Sequence, residues 1–232
     1  MVNVRTGQIR ARHLAPNSHI QMSVNYLGKK MPDTTIPVTR QAIIQDGFGH
    51  GVVATVPMPV IAASEILVRT VAVAINPTDH KMPANFSSPR AIIGCDFAGI
   101  VAKVGPGVPE NSEIRIGTRV AGAVHGSNPI DHADGAFSEY IKTSADLVFV
   151  PPNDMSWEEA AAIGGTGHGS LCLALWGSMG LSGRPKSPTG GEDYVLVYVS
   201  ACANSVMSDH LTYNAQGGSS ATGTMAMQLL KL

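Results

Sequence analysis

The chain has 232 residues, of which 44% are hydrophobic and 14% charged, and its formal net charge is -1. This balance provides no electrostatic attraction to nucleic acid or to an anionic membrane, and three scattered cysteines exclude a disulfide framework and a cysteine-based structural zinc site. No apolar run approaches the roughly 18–20 residues that a membrane-spanning helix requires, so we expect a cytoplasmic protein of the α/β or α+β class.

The first thirty residues differ in composition from the rest, because they contain basic residues and no Asp or Glu. They also lack a regular apolar period with which a fold could offset the entropy of ordering. We expect residues 1–36 to form a disordered extension, or to include upstream sequence before a true start at Met31. A mitochondrial presequence is the less favoured alternative, since such segments are also rich in Arg and poor in acids.

From residue 40 to residue 150 the pattern predicts short strands separated by turns. Asp46-Gly47 is a hairpin turn signal, and a long β-branched run ends at Asn76-Pro77, where proline removes a ladder donor. Such a series of strands favours a closed or highly curved sheet. The predicted strands are residues 41–45, 52–56, 65–75, 99–104, 119–124, 135–141 and 146–150.

After residue 150 the pattern changes to helix and then to strand. Ser156 and Glu159 have the spacing of a capping box, which predicts a helix start, and residues 171–176 also favour a helix. A linker rich in Pro, Gly and Ser at 184–191 precedes the apolar run 194–198, which is typical of a strand buried on both faces of a parallel sheet.

The last segment combines the string Gly217-Gly-Ser-Ser-Ala-Thr-Gly223 with a predicted helix at 224–232. A strand, a glycine-rich turn and a helix N-terminus make a phosphate site, because unpaired backbone N–H groups and the helix dipole both attract anions. Taken alone, the glycine pattern departs from G-x-G-x-x-G, so an ordinary flexible loop is the alternative.

Five strings in this order resemble the medium-chain dehydrogenase/reductase superfamily, in its zinc-free quinone oxidoreductase-like branch. The strings at 194–198 and 217–223 further resemble the trans-acting enoyl reductases of fungal polyketide biosynthesis. The five are Ala74-Ile-Asn-Pro-Thr-Asp-His-Lys81, Gly94-Cys-Asp-Phe-Ala-Gly-Ile-Val101, Gly117-Thr-Arg-Val120, Gly135-Ala-Phe-Ser-Glu-Tyr140 and, after Pro151, Ser156-Trp-Glu-Glu-Ala-Ala-Ala162.

This resemblance implies an α/β fold in which a GroES-like β-barrel is followed by a truncated Rossmann domain, a doubly wound parallel sheet. The expected domains are the extension 1–36, a GroES-like catalytic and substrate domain at 37–187, and a partial NADP-binding domain at 188–232. The implied reaction transfers hydride from NADPH to an α,β-unsaturated acyl thioester on a carrier domain. The implied partner is a polyketide synthase or a hybrid polyketide–nonribosomal peptide synthase, and the full-length family is expected to be monomeric.

The resemblance also assigns site residues by position. Lys81 is the expected catalytic residue, at a strand end where its ammonium group can donate to the cofactor or polarise the thioester carbonyl. The alternative for Lys81 is a solvated surface lysine, and the alternative for Asp79 is a turn or cap residue. We expect Thr78, Asp79, His80 and Lys81 beside the cofactor, Ser219, Ser220, Ala221 and Thr222 on its phosphates, and His168, Gly169, Ser170, Leu171, Cys172, Leu173, Ala174 and Leu175 along the acyl channel.

We expect no metal in this protein. Gly94-Cys95-Asp96 stands where zinc alcohol dehydrogenases have a Gly-His-Glu string, and no Cys or His partner lies at ligand spacing from Cys95. Cys95 is therefore predicted to be a small core residue. His125 and His132 are near each other in sequence, but no third ligand accompanies them.

Residues 199–216 separate the apolar run 194–198 from the glycine-rich turn, which should follow its strand directly. We interpret them as a retained intron, because Val-Ser at their start and Ala-Gln at their end can be encoded by donor and acceptor sequences. A genuine surface loop is the alternative. Since one strand and one helix cannot complete a parallel sheet, we expect the chain ending at Leu232 to be a poor or inactive enzyme.

Two other functions stay open at this point. One is a quinone oxidoreductase-like reductase of small enones, which shares the cofactor and differs in the acceptor. The other is a barrel domain that binds the synthase without catalysing a reaction.

Overall fold

The computed structural model describes strands at 2–5, 8–11 and 21–23, residues 36–182, Ser187, and a helix at Ala221–Leu229. The chain divides into two compact units, Met1–Thr166 and Gly167–Leu232. The predicted strand at 194–198, the insertion at 199–216, and the expected phosphate contacts Ser219 and Ser220 lie outside the described residues.

The described residues of the first unit form ten strands and two α-helices. Strands β10, β8, β7, β6, β3, β1 and β2 are neighbours in that order, β9 also pairs with β6, and β4 and β5 form a separate hairpin. The elements are β1 (Val2–Arg5), β2 (Gln8–Ala11), β3 (Gln21–Ser23), β4 (Thr39–Gln45), β5 (Gly51–Pro57), β6 (Glu65–Ala74), α1 (Pro77–Asn85), β7 (Asp96–Val104), β8 (Arg119–Ala123), β9 (Tyr140–Ser144), β10 (Val148–Phe149) and α2 (Trp157–Ala162).

Strand β6 is the centre of the larger sheet. One edge of β6 pairs with β7 along its whole length, while residues 65–69 of the other edge pair with β9. The three strands are rich in β-branched and apolar residues that suit a pleated, buried surface. Together with β8 they form the main apolar core, whose fully buried members include Ile66, Val68, Phe97, Val120 and Ile141.

The N-terminal extension contributes three short strands to this sheet, although its sequence predicted no order. Strand β3 pairs with Ala72–Ala74, the part of the β6 edge that β9 leaves uncovered. Backbone groups at a free strand edge can bond another strand of almost any sequence. An apolar period was therefore not needed for these residues to add to the sheet.

Irregular hydrogen bonds connect the larger sheet and its neighbouring loop to the hairpin. The Thr70 amide donates to the Glu139 carbonyl at 3.0 Å, and the Ile43 amide of β4 donates to the Phe137 carbonyl at 2.8 Å. The buried Arg40 guanidinium reinforces this connection, because it donates to the carbonyl oxygens of Tyr140 and Ala133. Among the described residues, the strands form an open path and not the closed ring that a complete barrel would have.

Most strand predictions are confirmed, and two differ in their bounds. The strand expected at 135–141 begins at Tyr140, because residues 136–139 make single irregular bonds to neighbouring loops and to β4 before the ladder with β6 starts. The strand expected at 146–150 is limited to β10, which follows a 3₁₀ turn at Ala145–Leu147. Both predictions rested on composition, which does not show where ladder bonding begins.

The described part of the second unit is helical. It comprises α3 (Thr166–Cys172) apart from Thr166, which belongs to the first unit, a π-helical turn at Leu173–Ser178 and α4 (Ala221–Leu229). The predicted helix at 171–176 is confirmed, and the buried Leu171 and Leu175 are one helical turn apart. An added Cβ on Gly167 would be 3.2 Å from the Met225 sulfur, so α4 packs close to α3. Within the described residues, no helix has the length and apolarity to cross a membrane.

Candidate active site

A helix starts immediately where the central strand ends. Asn76 has extended backbone angles and precedes Pro77, whose fixed φ suits the first position of a helix. The backbone N–H of Asn76 donates to the Asp79 carboxylate at 2.7 Å, and the backbone N–H of Asp79 donates to the backbone carbonyl of Asn76 at 3.0 Å. These reciprocal bonds close the first turn of α1, so Asp79 does serve as a cap residue.

The four residues expected beside the cofactor occupy the first turns of this helix. The placement of Lys81 at a strand end was wrong, because Pro77 removes the donor that β6 would need and starts a helix in its place. Asp79 faces the interior, Thr78 is half-buried, and His80 and Lys81 are exposed. The helix therefore presents an imidazole and an ammonium group to the surface while its acid points inward.

Asp96, the first residue of β7, is a buried carboxylate with three donors. It is 1% exposed. Its Oδ2 accepts from the Asn76 side-chain amide at 2.9 Å, and its Oδ1 accepts from the Thr166 backbone N–H at 2.8 Å and from the Thr166 hydroxyl at 2.7 Å. One carboxylate thus connects the residue that begins α1 with the residue that begins α3.

Burial controls the protonation of this cluster. The pKa of Asp79 is raised to about 6, mainly by its removal from water; the hydrogen bond from Asn76 and the Cys95 thiol oppose the rise, and the negative charge of Asp96 adds to it. Burial also raises the pKa of Asp96, although its donors oppose the change. The thiol of Cys95 has its pKa raised to about 12 by burial and by the charge of Asp79. Cys95 is therefore an inert thiol at neutral pH.

One oxygen of Asp79 is left without a hydrogen bond. Its Oδ1 is buried, and no partner for it lies among the described residues, whereas Oδ2 is bonded to Asn76. Such a buried unsatisfied oxygen is costly when the carboxylate is ionised. The charged form of Asp79 is therefore poorly stabilised at this position.

The residues expected to line the acyl channel form one continuous helical stretch in the second unit. Leu171 and Leu175 are buried, while His168, Ser170, Leu173 and Ala174 are exposed and Gly169 and Cys172 are half-buried. The stretch changes from α-helical to π-helical bonding at Leu173. The Met179 amide accordingly donates to the Ala174 carbonyl, five residues back, at 2.9 Å.

The expected phosphate contacts fall at the start of α4. Ala221 and Thr222 are its first two residues, three positions earlier than the helix predicted at 224–232. The glycine- and serine-rich string leads directly into this helix, and its first turn contains no acid. The N–H groups in the first turn of a helix are a general type of anion-binding group.

Among the described residues, no three His, Cys, Asp or Glu side chains converge as metal ligands. Cys95 lies beside the Asp79 and Asp96 carboxylates. His125 is exposed, and His132 is also exposed and lies 3.3 Å from the Ser88 hydroxyl through its Nε2. The two histidines therefore belong to different surroundings.

Three polar residues of the cluster were not predicted from sequence. Asn76, Asp96 and Thr166 are far apart along the chain and meet through the pairing of β6 with β7 and the start of α3. The only sequence signal was Asn before Pro, which is typical of a helix start. Asp96 lies in the motif at 94–101, but the sequence indicated no functional role for it.

Comparison with known proteins identifies relatives for most of the chain. The alcohol dehydrogenase GroES-like domain family matches residues 62–153. The trans-enoyl reductase ccsC of Aspergillus clavatus is 48% identical over 177 residues, which are 76% of this chain and 44% of that protein. The trans-enoyl reductase poxP of Penicillium oxalicum is 40% identical over 201 residues, 85% of this chain and 48% of that protein.

Solved structures agree with the fold. The quinone oxidoreductase from Coxiella burnetii superposes with a TM-score of 0.50 at 23% identity, over 63% of this chain and 47% of that one. At this identity the likeness concerns the fold alone. The chain spans about half the length of the curated relatives that it matches.

Proposed function

Because this chain belongs to the medium-chain dehydrogenase/reductase superfamily, we propose that it is a trans-acting enoyl reductase of fungal polyketide biosynthesis. The observation that carries this proposal is its 48% identity to a fungal trans-enoyl reductase over 177 residues. The acceptor is an α,β-unsaturated acyl thioester on a carrier domain. The partner is a polyketide synthase or a hybrid polyketide–nonribosomal peptide synthase, and the complete enzyme acts as a monomer.

The reaction that we propose is a reduction of the conjugated double bond. NADPH supplies the hydride chemistry when it is bound. In this reaction the β-carbon would receive the hydride and the α-carbon would receive a proton from solvent. Negative charge develops on the thioester oxygen on the way, so a positioned donor near that oxygen lowers the barrier.

Lys81 is our candidate for that donor. Its ammonium group is exposed on α1, one turn after the capped start, where it can reach the cofactor or the thioester carbonyl. In this proposal Thr78 and His80 also contact the cofactor from α1. The buried Asp79 serves the cofactor side by closing the turn that presents its neighbours.

The second unit supplies the remaining contacts in this proposal. Ser219, Ser220, Ala221 and Thr222 bind the cofactor phosphates at the start of α4. The stretch from His168 to Leu175 lines the acyl channel, and its exposed Leu173 offers apolar surface to an acyl chain. The packing of α4 close to α3 supports placing these two functions side by side.

We also propose a domain organisation for the chain. A GroES-like domain comprises residues 37–187 and carries the α1 residues. Residues 188–232 are part of an NADP-binding domain of the Rossmann type. Residues 199–216 are a retained intron in this proposal.

The test is NADPH binding and turnover by the 232-residue chain. We expect NADPH to bind, as followed by its fluorescence, and an enoyl thioester to be reduced at a low rate with oxidation of NADPH. Lys81→Ala should lower the turnover by about 100-fold, as loss of a donor to a developing oxyanion does. The matched control is Lys103→Ala, which removes an exposed lysine of β7 and should leave turnover unchanged.

Other outcomes identify the alternatives. Faster reduction of a free quinone than of the thioester would indicate a quinone oxidoreductase-like enzyme. Binding to a synthase without any affinity for NADPH would indicate a non-catalytic domain. Either result contradicts the proposal.

A further inference from the structure

The Asp96 carboxylate bonds both to the residue before α1 and to the first residue of α3. Asn76 is the residue immediately before α1, while Thr166 is the first residue of α3. Both residues donate to Asp96, Asn76 through its side-chain amide and Thr166 through its backbone N–H and its hydroxyl. Three donors on one carboxylate hold its orientation tightly.

An ionised carboxylate at this buried position is destabilising compared with a neutral side chain that only has to pack. Asp96 is 1% exposed, and the carboxylate of Asp79 and the thiol of Cys95 are its titratable neighbours. A buried charge costs several kcal/mol before its hydrogen bonds repay the cost, and a well-packed neutral side chain often serves stability better. What the carboxylate adds is a defined geometry of the groups around it, because it accepts three directed hydrogen bonds.

We infer that Asp96 is a positioning residue of the proposed reductase, which sets the cofactor side through Asn76 and the acyl side through Thr166. The inference rests on the proposed function, because α1 carries Thr78, His80 and Lys81 and α3 opens the stretch from His168 to Leu175. We call the hydrogen bond from Asn76 one arm of the carboxylate and the two hydrogen bonds from Thr166 the other arm. The first arm serves the cofactor, and the second serves the acyl thioester. Breaking one arm should therefore impair one substrate and spare the other.

Three variants separate the arms in steady-state kinetics. Asn76→Ala should lower kcat by about tenfold or more with little change in the KM for the acyl thioester, since misplacing a reacting group by a fraction of an ångström has effects of this size. Thr166→Val should raise the KM for the acyl thioester by about tenfold and leave the Kd for NADPH unchanged. Asp96→Asn should show both defects, because its amide can satisfy only one of the two arms as an acceptor.

Two further variants serve as controls. Thr166→Ser keeps the hydroxyl and should restore the KM that Thr166→Val loses. Asp154→Asn removes an exposed acid of the loop before α2 and should behave as the wild type. A purely structural role of Asp96 would instead lower the midpoint of thermal unfolding while the folded fraction kept normal kcat and KM in all variants, which would overturn the inference.

Hydrogen exchange tests the geometry without requiring catalysis. In Asp96→Asn, amides in peptides covering Pro77–Asn85 and Thr166–Cys172 should exchange faster than in the wild type, while β7 and β8 keep their protection. Unchanged exchange in both helices would overturn the inference even if the enzyme is active. Failure of the wild type to bind NADPH would overturn the proposed function, and with it the role of Asp96 in catalysis, whatever the exchange result.

Discussion

Asp79 shows how the fold sets the chemistry of a single residue. It is 5% exposed, one of its oxygens is bonded to the Asn76 amide, and the other has no partner among the described residues. Cys95 and Asp96 lie beside it within the first unit, and His80 adds a small opposing attraction when protonated. Burial and the like charge of Asp96 outweigh these attractions, so the pKa of Asp79 rises to about 6.

This shift predicts a pH dependence of stability with a definite sign. The folded chain binds a proton at Asp79 below about pH 6, whereas the unfolded chain does so only near the ordinary value of 3.8. The contribution of this group to stability is therefore fully present below pH 3.8 and is lost as the pH rises through 6. We expect wild-type protein to gain about 2 kcal/mol between pH 7.5 and pH 4.5 relative to Asp79→Asn.

Urea unfolding of both proteins at the two pH values measures this difference. The amide of Asp79→Asn can still accept from Asn76, so the capped turn should survive the substitution. Asp154→Asn provides the matched control, because it removes one carboxylate from an exposed position. A pH-independent difference between wild type and Asp79→Asn would show that the carboxylate titrates normally.

At the scale of elements, two glycines with the same backbone conformation have different surroundings. Gly94 before β7 and Gly117 before β8 both have φ of 90°, a conformation that L-residues rarely adopt. A Cβ at Gly94 would fall within the ring of Phe137, whereas nothing lies within 4 Å of a Cβ at Gly117. The turn needs glycine at both positions, but only Gly94 is also required by packing.

We therefore expect unequal costs from the same substitution. Gly117→Ala should lower the free energy of unfolding by about 1 kcal/mol, the cost of the backbone conformation. Gly94→Ala should lower it by about 3 kcal/mol or more, because overpacking of a core ring adds to that cost. Thermal and urea unfolding measure both values.

A double variant keeps this prediction testable if Gly94→Ala does not fold. Gly94→Ala combined with Phe137→Leu should fold better than Gly94→Ala alone, since the smaller side chain makes room for the added methyl group. Equal destabilisation by the two alanine substitutions would show that Phe137 does not restrict this turn.

At the scale of the whole molecule, the cofactor region depends on the segment at 199–216. If these residues are a retained intron, transcripts from the native host should include a spliced form that joins Tyr198 to Gly217 and is shorter by the codons of 199–216. Amplification across this region of the transcript and sequencing of the products measure it. Transcripts that all contain the segment would establish it as part of the protein.

The protein can be tested in parallel. A chain without residues 199–216 should bind NADPH more tightly than the 232-residue chain, because the glycine-rich turn would then follow its strand directly and aim its amides at the diphosphate. Equal affinity of the two chains would contradict this expectation.

The sequence alone determined the elements whose signals are local. The hairpin of β4 and β5, the long strand β6, the capping box at Ser156 and the motifs of the medium-chain dehydrogenase/reductase superfamily were all predicted correctly. Each depends on residues within about ten positions of one another, so turn propensity, β-branching and side-chain capping are sufficient to identify it.

Only the tertiary structure decided which polar groups meet. Asn76, Asp96 and Thr166 come from three separate parts of the chain, and no local pattern distinguishes Asp96 from a surface acid. The same holds for the raised pKa of Asp79, because burial and hydrogen-bond partners come from strands paired across the sheet. Pairing between strands that are distant in the chain brings such groups together, and no short stretch of sequence contains the information about that pairing.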